Sequence, residues 1–206
     1  MRSQKMSGVS LIELLGVMTI LVIISMMAIP NIMRITTNYR LDSAGHSIAS
    51  LLQQAKLQAV KTNSPTYVQY DTTKTPNLVF INSDPTAAFA AGNPDIDLGN
   101  AMSFQNNGPD HSQLDAYVGV GTVIETGTAI GFNARGLPCM ASTTSAQRCQ
   151  QIDPGSGGTP SFEWFVQNSD QNWEAITVTA AGRIKAWKLT TSSGGTATCG
   201  YAACWN

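Results

Sequence analysis

Apolar residues fill an almost unbroken run from Val9 to Ile29, VSLIELLGVMTILVIISMMAI. As a helix rising 1.5 Å per residue, such a run is about 30 Å long, enough to cross the hydrocarbon core of a bilayer. Beyond Pro30 the pattern changes. Ile48, Leu51, Leu52, Ala55 and Ala59 recur at helical spacing and make one apolar stripe, with Lys56 and Lys61 on other faces. Asn63-Ser64-Pro65 is a stop signal. Together these patterns predict one helix from about Val9 to Thr62. Its first half is apolar all round, its second half docks on a sheet, and Pro30 is a point where it bends or loosens.

After Pro65 the period shifts to two. Thr66–Tyr70 and Leu78–Ile81 read as a hairpin, and Tyr117–Ile124 and Thr128–Asn133 as a second pair joined through Glu125–Gly127. Phe162–Gln167, Trp173–Thr179 and Arg183–Leu189 complete the strands. Residues 83–115 are rich in Pro, Gly, Asn and Asp, and read as a long surface loop with one short strand near Met102–Phe104. Residues 140–161 read as a second irregular insertion. The expected fold class is α+β, a long N-terminal helix packed on an antiparallel β domain.

The same patterns divide the chain. Residues 1–8, MRSQKMSG, are polar and basic, with Arg2 and Lys5. Residues 9–29 form the apolar helix, and residues 30–206 the domain, helical over 30–63 and β-rich over 64–206. Positive charge before the run and none inside it predicts a cytoplasmic N-terminus and a domain outside the cytoplasm. A secretory signal would carry an A-x-A-type site after the run. Pro30-Asn31 stands there instead and the helical pattern goes on, so a retained anchor is expected.

Glu13 is the single charge in the run. A lone carboxylate in lipid costs a few kcal/mol, so it calls for a partner. A cut between Gly8 and Val9 would supply one: a new amine at Val9, about one helical turn from Glu13. Between neighbouring subunits that amine and the carboxylate would neutralise each other and set the axial register.

Only 12% of residues are charged, about half the usual share. Residues 71–174 hold three basic side chains against eleven acidic ones, and residues 175–206 hold Arg183, Lys185 and Lys188 with no acid. The four cysteines, Cys139, Cys149, Cys199 and Cys204, sit in loop-like sequence, which suggests disulfides and an oxidising compartment. Four cysteines allow three pairings; the local ones, Cys139–Cys149 and Cys199–Cys204, are expected. No Cys-x-x-Cys supports a zinc site as the alternative, and His46 and His111 lie far off. There is no G-x-S-x-G elbow, H-E-x-x-H, Walker loop or Rossmann fingerprint. No enzymatic activity, cofactor or metal is expected.

Gly8-Val9-Ser10-Leu11-Ile12-Glu13, followed by the apolar run and Pro30, resembles the class III signal of type IV pilins and type II secretion pseudopilins. That resemblance implies cleavage by a prepilin peptidase after Gly8, methylation of the new N-terminus, and residence in the bacterial inner membrane with the domain in the periplasm. It further implies assembly with other pilin or pseudopilin subunits into a periplasmic or surface filament. Val9 departs from the commoner phenylalanine or methionine. Leu51–Val60 and Gly131-Phe132-Asn133-Ala134-Arg135-Gly136-Leu137-Pro138 resemble the domain shared by H-type pseudopilins and T- and U-type fimbrial minor pilins.

Ala181-Gly182-Arg183-Ile184-Lys185-Ala186-Trp187-Lys188 is the one basic cluster of the β-rich part. Strand alternation puts Arg183, Lys185 and Trp187 on one face, where cations could meet phosphates and an indole could stack on a base. Gly182-Arg183 also resembles the Gly-Arg-x-Arg motif of DNA-binding T-type minor pilins, with Lys185 in place of the second arginine. Arg183, Lys185 and Lys188 are thus candidate DNA contacts. The alternative is structural: Gly182 makes a turn, Trp187 packs inside and the cations are solvated. An adhesin-like tip built from residues 83–115 and 140–161 is a third reading.

Overall fold

The structure is a computed structural model that describes residues 10–74, 77–105, 108–109, 112–118, 123–125, 129–141, 149–150, 160–189 and 205–206, without the side chains of residues 27, 28, 30, 31, 123–125 and 150. The chain divides into two units, residues 1–36 and 37–206. Helix α1 spans Leu11–Thr62, close to the expected bounds. Its end is made by Asn63, whose φ of 49° lies in the left-handed region, while the Ser64 N–H reaches back to the Ala59 carbonyl at 3.2 Å.

In the first unit every described side chain from Ser10 to Thr36 is exposed. The three hydroxyls at Thr19, Ser25 and Thr36 turn inward, donating to the carbonyls of Leu15, Leu21 and Ile32, each at 2.8 Å. Among the described residues no helix is long and apolar enough to cross a membrane.

In the second unit the stripe of α1 does what its spacing predicts. Ile48, Leu51, Leu52, Ala55 and Ala59 are all buried, and Leu41, Ala44 and Ala49 extend the stripe. Among the described residues eleven strands accompany it: β1 (Thr66–Asp71), β2 (Leu78–Asn82), β3 (Asp95–Asp97), β4 (Met102–Gln105), β5 (Val123–Glu125), β6 (Ile130–Phe132), β7 (Pro138–Ala141), β8 (Cys149–Gln150), β9 (Ser161–Asn168), β10 (Trp173–Val178) and β11 (Ile184–Lys188). They form two sheets. The first has the order β3-β2-β1-β6-β7-β8; the second has the order β11-β10-β9-β4, with β5 also on β9. Val68, Val79, Ile81, Ile130 and Phe132 of the first sheet and Phe162, Trp164, Val166, Ile176 and Val178 of the second meet α1 in one core. Tyr70 stacks on Phe104 at 4.3 Å between ring centres, and both rings meet Trp164 edge-on.

The second sheet is buried on its other face too. A short helix, α2 (Ser112–Val118), sets Leu114 against Phe165, Ala175, Trp187, Leu189 and Trp205. This explains why β9 and β10 read as nearly continuous apolar runs.

The hairpin β1–β2 forms as expected, as do β4, β9, β10 and β11. The second expected pair does not. Its first arm begins inside α2, whose Leu114 docks on the second sheet while Val118, four residues on, is buried as well. Its remainder, β5, runs parallel to β9 in the second sheet. β6 has no edge left for β5, since β1 flanks it on one side and β7 on the other. The β-propensity of this segment was real, but tertiary pairing decided its partner.

One polar feature sits inside the seam between α1 and the second sheet. Glu174 shares the inward parity of Ile176 and Val178 and is 2% exposed. Its carboxyl lies over Gly45, where a Cβ would run into it. Burial, reinforced by Asp42 as hydrogen-bond partner and like charge, raises its pKa to about 8 against the attraction of Lys188. A raised carboxyl pKa means that the folded state keeps a proton the unfolded chain has lost. Its stabilising contribution is therefore full below about pH 4.5 and is lost as pH rises through about 8. Thermal melts between pH 5 and 9 are expected to show stability falling with pH, at most about 1.4 kcal/mol per pH unit. Glu174→Gln is expected to flatten that slope; an unchanged slope would refute the assignment.

Candidate functional site

Two places in the structure gather the chemistry that the sequence singled out. The first is the start of α1. Glu13 lies in its first turn, where the helix dipole favours a negative charge, and its N–H bonds the Ser10 carbonyl at 3.0 Å. Around it Leu14, Val17, Met18 and Leu21 line a shallow apolar depression. Leu11 is 80% exposed and Ile12 is 74% exposed, and large apolar side chains remain open on every face as far as Ile35. Glu13 is the only charge before Arg34 on this stretch. Gly8 and Val9, the expected cleavage pair, lie outside the described residues; Pro30 lies within α1, with its side chain outside them.

The second place is where two turns meet over Lys56 of α1. The Asn133–Leu137 turn closes through Gly136 N–H to the Asn133 carbonyl at 2.8 Å, with Gly136 at a φ of 74°. The Thr179–Arg183 turn closes through Gly182 N–H to the Thr179 carbonyl at 2.7 Å, with Gly182 at a φ of 75°. The Lys56 ammonium donates to the Gly182 carbonyl at 2.8 Å, and its stem lies against Gly136. A Cβ on Gly182 would stand 2.7 Å from the Gly136 carbonyl oxygen. Both glycines therefore serve positive φ and close approach at once. The arrangement brings Arg135 and Arg183, each exposed and next to its glycine, onto neighbouring turns.

The basic cluster of β11 is divided by the sheet. Lys185 shares a face with Trp187, with its ammonium 3.3 Å from the indole centre and 5.7 Å from that of Tyr117. Lys188 is opposite Glu174, on the face turned to α1. Trp187 is 6% exposed, meets Tyr117 edge-on and donates its Nε1–H to Thr177 Oγ1 at 2.9 Å. The indole is thus a core side chain, not an open stacking platform. Arg183, Lys185 and Lys188 are all exposed to solvent.

Cys139 and Cys149 form a disulfide with Cα atoms 5.1 Å apart, joining β7 to β8. Cys199 and Cys204 lie outside the described residues. Among the described residues no group of three or more His, Cys, Asp and Glu is arranged to hold a metal.

Two relationships escaped the sequence. Nothing local tied Lys56 to two turns roughly 80 and 126 residues away. The burial of Glu174 did have a signal, since it alternates with Ile176 and Val178 in the same strand. No family model, curated protein or solved structure matches this chain.

Gly182→Ala is expected to cost about 1–3 kcal/mol, from positive φ and the crowded carbonyl together. Thermal denaturation should show a midpoint roughly 2–10 °C lower. Arg183→Ala, which removes only a solvated side chain, should stay within about 0.5 kcal/mol of the parent.

Proposed function

We propose that this chain is a structural subunit of a filament of the type IV pilin class, a minor pilin or pseudopilin, anchored in a membrane before assembly. The observation that carries this reading is the first stretch of α1: apolar and exposed on every face, with Glu13 as its one charge, ahead of a domain whose buried core begins only at Leu41. A helix that is apolar all round needs lipid or other apolar helices around it. The internally bonded hydroxyls of Thr19 and Ser25 suit such surroundings. In the membrane Glu13 is the costly group; in a filament the Val9 amine freed by cleavage after Gly8 would neutralise it. The domain's surface and irregular segments then contact neighbouring subunits.

A second reading, capture of DNA by the same subunit, is favoured by one observation: the Arg135 and Arg183 turns lie side by side with Lys185 nearby. The division of Lys188 and the burial of Trp187 leave it a phosphate-contact reading without base stacking. Under it, binding weakens with salt and disappears in Arg183→Ala/Lys185→Ala. Salt-dependent binding retained in that variant would remove the site.

Three outcomes test the leading reading. Intact mass of the chain taken from its own membrane is expected to show Val9 as the N-terminal residue. Gly8→Val is expected to retain residues 1–8. Glu13→Ala is expected to insert into the membrane at the parental level yet be depleted from sheared filaments; normal incorporation would defeat the charge-pairing argument.

A further inference from the structure

Where the end of α1 meets the two Gly-Arg turns, positive charge stands uncompensated. The three segments that come together there lie in the stretches 43–70, 126–152 and 175–206, and none of the chain's 13 acidic residues falls in any of them. Lys61, Arg135 and Arg183 are exposed, and among the described residues none of the three is joined to a carboxylate. Lys56 uses its ammonium on the Gly182 carbonyl at 2.8 Å, a neutral acceptor that leaves its charge in place.

Two aliphatic side chains lie among these cations. Leu57 is 70% exposed and Val60 is 50% exposed. At about 100° per residue, Lys56, Val60, Leu57 and Lys61 follow one another round the helix in that order. Val60 is beside the first turn, with its Cγ2 3.3 Å from where a Cβ on Gly136 would stand. The aliphatic pair is therefore bounded by the arginine turns on one side and by Lys61 on the other. Both turns are held closed by their own backbone bonds, with Gly136 and Gly182 at positive φ and Lys56 beneath them. Cations presented from a fixed backbone give up less freedom when a partner arrives.

We propose that this surface docks an acidic segment of another protein, one that sets carboxylates on Arg135, Arg183 and Lys61 and an apolar side chain on Leu57 and Val60. Charge complementarity selects the acidic occupant, and guanidinium forks match carboxylates in two parallel hydrogen bonds. The aliphatic pair selects protein over nucleic acid. An alkyl side chain gains nothing from a phosphate backbone, and the β11 indole, Trp187, is 6% exposed and offers no base a stacking face. An apolar centre rimmed by charge, with arginine prominent, is the usual anatomy of a protein–protein contact. The proposal gives the filament-subunit reading a contact surface on the domain, and rests on that reading only for the partner's being a neighbouring subunit.

The test titrates the full-length chain, in nonionic detergent micelles, against fluorescent probes. These are a short peptide of glutamates around a central leucine pair, the same peptide with serines for the leucines, and duplex DNA of matching charge. The leucine peptide is expected to bind tightest and to weaken as salt rises. Leu57→Ser is expected to weaken it about tenfold, as loss of one buried aliphatic contact does, and to leave the serine peptide unchanged. Val60→Ser serves the same purpose should Leu57→Ser not fold. Arg135→Ala/Arg183→Ala is expected to weaken both peptides. No binding of the leucine peptide, equal affinity for the serine peptide, or binding that the folded variants leave unchanged would overturn the proposal. So would tighter binding of DNA that Leu57→Ser does not alter, in favour of the DNA reading. N-terminal mass from the same preparation reports processing at Gly8 separately, so failure of this surface and failure of the filament reading are told apart.

Discussion

The second unit depends on the burial of one helical stripe between two sheets. Leu41, Ile48, Leu52, Ala55 and Ala59 present a face that changes from bulky to small toward the helix C-terminus, and both sheets contribute side chains to it. Without that stripe neither sheet has a partner for its inner face, and apolar area left in water costs about 25 cal/mol per Å². Ala55 and Ala59 share that core with the large rings of Phe132 and Trp164. The same helix reaches past the core to two distant turns, bonding one through the ammonium of Lys56 and meeting the other with its stem, so one element organises the core, the seam and the Gly-Arg turns.

Polar groups are admitted to this seam on strict terms. Gly45 leaves space for a carboxyl, and Glu174 occupies it with Asp42 as neighbour and Lys188 opposite. A buried carboxyl stays inexpensive only when it keeps its proton or gains a strong partner. The seam between α1 and the second sheet is therefore one part of the domain whose stability responds to pH. Lys185 shows the opposite solution: its charge remains at the surface while it lies over Trp187 and Tyr117.

The function proposed here rests on a contrast between the two units. Among the described residues the buried core lies within residues 37–206, and every described side chain of residues 10–36 is exposed. A segment so apolar calls for apolar surroundings, and under the proposed reading its one carboxylate is where a partner charge would sit.

Local signals were enough for much of this. The apolar run with Glu13, the stripe from Ile48 to Ala59, the Asn63-Ser64-Pro65 stop, the β1–β2 hairpin and the last three strands are written in periods of 3.6 and 2 and in residues with special backbone preferences. The local disulfide between Cys139 and Cys149 was legible from spacing and loop composition. Tertiary structure alone decided the rest. Whether Ser112–Val118 became helix, which sheet received β5, and which residues would face one another across Lys56 depended on partners far off in sequence. The same holds for the basic cluster: alternation told which residues share a face, but only the packing of Tyr117 and Thr177 showed that Trp187 is enclosed. A local pattern specifies an element and its faces, because both follow from backbone geometry. It cannot specify which edge or face will be free to receive that element, because that is settled by competition among all the others.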